Sequence, residues 1–207
     1  MDEGRFCSPV TAQVEPTREP NVTDISHPAI QRLVDIASRK GVTLDIRLVP
    51  DSTPTIEAAA AAVDAELGQI INSVVFVADR PHGRLAPVVC LVSGRNRVDS
   101  ALVAAVAGEV SVRAATAQET SDLTGYSIGD VPPFGYGRDV PVLMDRDLCA
   151  HQWVWAAAGT HAALFRVAPR TLRMLANALV APLAQEPWLR NAGQMAPGLS
   201  FETGAGA

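Results

Sequence analysis

The chain has 207 residues, 48% of them hydrophobic and 19% charged, which is enough apolar side chain for one ordinary domain and excludes a disordered chain. Its net charge of −5 gives no strong grip on a long nucleic-acid backbone. This argues against DNA and leaves any RNA partner a short contact, or arginines gathered on one face, Lys40 being the only lysine.

Residues 1–25 are rich in Pro, Thr and Glu without an apolar period, and are expected to form a flexible lead. Residues 26–184 are expected to fold as one unit, and residues 185–207, closing on Gly and Ala, as a loose tail. The first helix should follow Ser26-His27, with Pro28 at its first position, and end at Gly41. Ile30, Leu33, Val34 and Ala37 mark its apolar stripe. Alternation over Leu44 to Val49 predicts a strand, and Thr55 is placed to cap a second helix running through Glu66.

Ile70 to Ala78 and Ala86 to Ser93 are almost wholly apolar, which predicts two central strands covered on both faces and joined by a turn over 79–83. A helix from Val98 to Ala107, a strand near 111–114 and a helix near 117–123 should follow. A Gly/Pro-rich loop fills residues 125 to 138. Strands near 140–144, 152–157 and 163–167 come next, and a last helix opens at Pro169 and runs to about Leu183. The expected fold is a single α/β (α+β) domain with a mixed central sheet flanked by helices.

No apolar run approaches the ~20 residues of a membrane helix, and Met1-Asp2-Glu3-Gly4-Arg5 lacks the apolar stretch of a secretory signal. A cytoplasmic location away from membranes is therefore expected. Cys7, Cys90 and Cys149 are odd in number and form no Cys-x-x-Cys pair, so neither a disulfide framework nor a metal site is expected. Cys90, inside an apolar run, should be a small buried hydrophobe.

Gly125-Tyr126-Ser127-Ile128-Gly129 fits the G-x-S-x-G pattern of serine hydrolases. That pattern works only where a strand turns sharply into a helix, whereas here a helix precedes it and prolines follow. Ser127 is therefore not expected to be a nucleophile. His161, in Gly159-Thr160-His161 between two strands, could act as a base or substrate contact, or be an ordinary surface histidine. His27 reads as part of a helix start, and His82 as a turn residue. The Gly125 to Gly137 loop is either a long connection or a rigid loop whose amides approach a ligand closely.

Two segments overlap the central strands, Gly68-Gln69-Ile70-Ile71-Asn72-Ser73-Val74-Val75-Phe76 and Val92-Ser93-Gly94-Arg95-Asn96-Arg97-Val98-Asp99. Gly125-Tyr126, Gly129-Asp130-Val131-Pro132-Pro133-Phe134-Gly135 and Ala158-Gly159-Thr160 follow them. In their order and spacing, these segments resemble the YbaK/prolyl-tRNA deacylase-like family of aminoacyl-tRNA editing domains, over roughly His27 to Leu183. The resemblance implies a free-standing trans-editing deacylase that hydrolyses the ester of a mischarged tRNA. Its partner would be the aminoacylated 3′ end, and it would need no cofactor. In that chemistry the substrate's ribose hydroxyl helps to activate water, while protein groups position the ester and stabilise the oxyanion.

Gly129 and Pro133 match the family's G-x-x-x-P pocket loop, and Gly159 with Thr160 would form the opposite wall. Ser73 and His161 are further candidates for substrate contact. The family's strand lysine falls at Asn72, which donates hydrogen bonds without charge. The alternative is a catalytically impaired binding protein on the same fold, recognising aminoacyl-tRNA 3′ ends or a related small ligand.

Overall fold

The computed structural model describes residues 25–50 and 55–185. The expected flexible lead, except Ile25, and all of the tail but Gln185 lie outside them.

Helix α1 spans Pro28–Arg39, with Pro28 at its first turn and the His27 Nδ1 accepting from the amide of Ala29 at 3.2 Å. Ile30, Leu33 and Ala37, spaced three and four apart, are fully buried and set the helix onto the core. Thr55 caps α2 (Ile56–Ala62) through the amide of Ala58 at 3.1 Å, as its side chain foretold. The helix stops at Ala62 rather than Glu66. Asp64 takes a positive φ of 53°, and Glu66 to Gln69 close a separate one-turn 3₁₀ helix with its own capping box.

Strands β2 (Ile71–Arg80) and β3 (Arg84–Ser93) pair antiparallel over their whole length, from Ile71 opposite Ser93 to Arg80 opposite Arg84. They are the centre of a five-stranded mixed sheet ordered β4-β2-β3-β5-β8. Here β4 is Arg113–Ala114, β5 is Val142–Asp145 and β8 is Leu179–Ala181. Both faces of the pair are covered, as their unbroken apolar character required. Ile71, Val75, Val89 and Leu91 face a large core shared with α1, while Phe76, Val88, Cys90 and Val92 face a second core with Val103 and Leu183. Each fully buried Leu, Val or Phe in such a core contributes on the order of 1.5–3 kcal/mol. Burial also pushes the Cys90 thiol up to about 12 from 9.0, so it stays neutral.

Beside this sheet stands a second, antiparallel one of three strands, β1-β7-β6. It comprises β1 (Asp45–Leu48), β7 (Ala163–Val167) and β6 (Val154–Ala157). A bridge between Ile70 and Trp155 links its end to the start of β2. Three further helices complete the domain: α3 (Ser100–Ala107), α4 (Ala117–Thr124) and α5 (Pro169–Ala176). Asp99 caps α3, its carboxylate accepting from Ala101 at 2.8 Å.

The last helix is shorter than its apolar pattern suggested. Asn177 takes the left-handed conformation (φ 49°), a position asparagine tolerates, and ends α5 at Ala176. Leu179–Ala181 then joins β5 as a parallel edge strand instead of continuing the helix to Leu183. Among the described residues no helix is long and apolar enough to cross a membrane.

Candidate functional site

Where the small sheet meets the start of β2, the chain leaves a cleft of about 310 Å³. One side is the beginning of β2, with Ile70, Ile71, Asn72 and Ser73. Facing it are Ile128 to Val131 of the 125–138 loop, and Ala157, Thr160, His161 and Leu164 of the small sheet and its connection. Val49, Ile56 and Ala59 supply further apolar wall. The volume lies at the small end of ligand pockets, and the lining mixes apolar walls with a few convergent polar groups.

Strand alternation separates the two polar residues of β2. Ser73 shares the face of Ile71 and Val75, toward the core with α1, and Asn72 shares the face of Val74 and Phe76. Both border the cleft because it opens at the strand's first residues, where each side chain is only half-buried.

The loop opposite is held rigidly by its own side chains. The Tyr136 hydroxyl donates to the carbonyl of Pro132 at 2.7 Å, and the Tyr126 hydroxyl donates to Gly135 at 3.3 Å. Phe134 meets Phe165 edge-on, with ring centroids 5.9 Å apart. Gly129 turns the chain into this loop with φ 92°. Pro133 is buried inside it, outside the residues that line the cleft.

Gly159 lies behind the other wall. Its φ is 86°, and a Cβ there would stand 2.9 Å from both the Cβ of Ala29 and Cε1 of Tyr126. The absence of a side chain therefore lets α1, the loop and the wall close together. Next to it Thr160 is 5% exposed, and its Oγ1 is sealed from solvent without a hydrogen-bond partner. His161 is half-exposed at the mouth, its Nδ1 3.9 Å from Oδ1 of Asp130 across the cleft.

Of the residues singled out from sequence, Asn72, Ser73, Gly129, Thr160 and His161 come together around this cleft, while Pro133 and Gly159 support it from behind. Asp130 was quoted within a motif without a role of its own, and it proves to carry the one carboxylate of the lining among the described residues. The apolar lining from Val49, Ile56, Ile128 and Leu164 had no sequence signal, since only folding brings these distant residues together.

Among the described residues the lining holds no arginine or lysine. Lys40 is engaged elsewhere, donating to the carbonyls of Met174 and Leu175 at 3.0 Å each. Arg95 pairs with Glu66 at 2.7 Å. Asn96 is structural: its Nδ2 donates to the carboxylates of Asp145 and Asp147 at 2.9 Å each and ties β3 to β5. Ser127 follows α4 in a turn and opens no helix, so the nucleophile-elbow geometry is absent. Among the described residues no group of three or more His, Cys, Asp or Glu side chains is placed to hold a metal ion.

Residues 50–175 match the model of the aminoacyl-tRNA editing domain family. A proline–tRNA ligase of Limosilactobacillus fermentum is 30% identical over 112 residues, 53% of this chain but 20% of the ligase. An uncharacterized protein of Bacillus subtilis, YwhH, is 28% identical over 129 residues, 62% of this chain and 78% of its own length. Among solved structures, a proposed trans-editing enzyme for prolyl tRNA synthetase superposes with a TM-score of 0.69 at 40% identity. That match covers 77% of this chain and 99% of the other.

Proposed function

This chain belongs to the aminoacyl-tRNA editing domain family, and on that premise we propose that it is a free-standing trans-editing deacylase that hydrolyses the ester of mischarged tRNA. The observation that carries the reading is the cleft itself. Its roughly 310 Å³ suits a small aminoacyl group on a terminal ribose, with apolar walls for the side chain and Asn72, the Gly129 turn and His161 around the ester. The solved relative described as a proposed trans-editing enzyme supports the same assignment.

In this reading, water adds to the ester carbonyl carbon, the bond from that carbon to the ribose oxygen breaks, and the proton ends on the ribose oxygen. The products are a free amino acid and tRNA with its hydroxyl restored. The neighbouring ribose hydroxyl helps to take the proton from water. The Asn72 amide and the Gly129 backbone N–H donate to the oxyanion as it develops, where fixed donors act most strongly. Asp130 orients His161 at the mouth, where the imidazole contacts the substrate.

The test is turnover of a panel of tRNAs charged with small noncognate amino acids. The expected result is protein-dependent release of one or a few of them, weakened by Asn72→Ala. Saturable binding of the charged 3′ end without release would replace this reading by a noncatalytic binding protein.

A further inference from the structure

Among the described residues, Arg80, Arg95, Arg113, Arg146 and Arg166 each pair with a carboxylate. Arg39 on α1, and Arg170 and Arg173 on α5, are exposed and enter no ion pair among the described residues, and the same is true of Arg32, also on α1, and of Arg47, Arg84, Arg97 and Arg138. What sets the arginines of α1 and α5 apart is their place on two neighbouring helices.

Lys40 links the two helices that carry them. Its Nζ donates to the last carbonyls of α5, from Met174 and Leu175, and so pins the C-terminal ends of α1 and α5 side by side. At this junction opens a groove of about 560 Å³. Arg170, Thr171, Arg173 and Asn177 line it, with Val42 and Met174, and among the described residues no acid does. In a chain of net charge −5, such an uncompensated basic groove stands out.

Helix α1 runs from the back of the cleft wall to this groove. Its first turn abuts the wall from behind, where Ala29 stands against Gly159. Its twelve residues then carry the chain about 18 Å, at about 1.5 Å each, to Lys40. Arg32 and Arg39, seven apart and so on one side of the helix, are exposed along the way, with Asp35, the single acid of α1, exposed between them on the same side.

We infer that the exposed side of α1 and the α1–α5 groove form the track for the phosphates of an RNA whose aminoacylated end occupies the cleft. This rests on the reading proposed above. At the roughly 3.4 Å spacing of stacked phosphates along one strand, about 18 Å corresponds to about five nucleotides. The groove therefore receives phosphates near the junction of the single-stranded 3′ end and the acceptor stem. Guanidinium groups suit that task, because they hold phosphate oxygens by paired hydrogen bonds.

The experiment compares the wild type with R170Q/R173Q, both changes being at exposed positions. Binding of an uncharged acceptor-stem minihelix RNA is followed by fluorescence anisotropy from 50 to 200 mM salt. The plot of log affinity against log salt should be shallower for the double variant by roughly 1.4–1.8, at about 0.7–0.9 per lost phosphate contact. Turnover of the same amino acid esterified to adenosine alone should not change. Equal slopes for the two proteins, or a wild type that does not bind the minihelix, would overturn the track. Binding is read without turnover, so the two readings fail separately: a track that behaves as described in a protein that cleaves no ester removes only the deacylase reading.

Discussion

Gly159→Ala is the most informative single change to the cleft wall, because the structure separates its cost into two parts. At φ 86° any side chain is strained, by about 1–2 kcal/mol for an alanine in the left-handed region. The new Cβ would also lie 2.9 Å from Ala29 Cβ and from Tyr126 Cε1. Neither neighbour is the loose end of a flexible chain: one is fixed on α1, and the other belongs to a ring whose hydroxyl is bonded to Gly135. Such overpacking adds about 1–3 kcal/mol, for a total of roughly 2–5 kcal/mol.

Gly129→Ala provides the control. Its φ of 92° carries the same strain, but a Cβ there meets nothing within 4 Å. Urea unfolding of the two variants should therefore differ by about 1–3 kcal/mol, Gly159→Ala being the less stable. Movement of Thr160 and His161 should also slow deacylation by Gly159→Ala, by up to roughly a hundredfold for an ångström of displacement. If the two variants lost the same stability, the close packing of α1, loop and wall would be refuted.

Three further outcomes are expected. Asn72→Lys places a charge in a lining that has none of that sign, and a charge-assisted hydrogen bond of about 1.5–3 kcal/mol should raise kcat by roughly tenfold to more than a hundredfold. Unchanged turnover by a folded variant would remove position 72 from the chemistry. Thr160→Val exchanges a sealed, unpartnered hydroxyl for a methyl, and should raise stability by about 1–3 kcal/mol in urea unfolding, whereas a loss would reveal a partner for that hydroxyl. The Glu119 carboxyl is lowered from 4.5 to about 2, first by its hydrogen bond with Arg113 and then by the Thr116 amide. A depressed carboxylate contributes stability above its unfolded pKa that is lost as pH falls through about 4.5 toward 2. Glu119→Gln should therefore lose melting temperature relative to wild type at pH 6 and close that gap near pH 2, and a gap constant with pH would contradict the sign.

Much of the fold is legible in the sequence because the decisive signals are local. The unbroken apolar runs at 70–78 and 86–93 require strands covered on both faces, and Thr55 and Pro28 mark helix starts at which both helices begin. The misreadings also have local causes. An apolar pattern after Pro169 continues past Ala176, but Asn177 accepts a left-handed turn and β5 offers Leu179–Ala181 an open edge, which no local signal reports. The separate three-stranded sheet depends on β1 pairing with β7 more than a hundred residues later, a choice made by packing.

The site follows the same division. Asn72, Gly129 and Thr160 stand in motifs and could be singled out in advance, as could the glycine that proves to hold the wall closed. The apolar walls from Val49, Ile56 and Leu164 are created only when the two sheets meet. Arg170 and Arg173 are unremarkable in sequence, and line a groove only once α5 packs with α1 on the shared core.

Whether the chain is a deacylase is decided by a time course of ester loss from tRNA charged with a small noncognate amino acid. The folded wild type is compared with buffer and with Asn72→Ala. Protein-dependent release of free amino acid is expected, well above the spontaneous rate and reduced in the variant. Release no faster than in buffer from every charged tRNA in the panel, by protein that still binds the charged 3′ end, would contradict it.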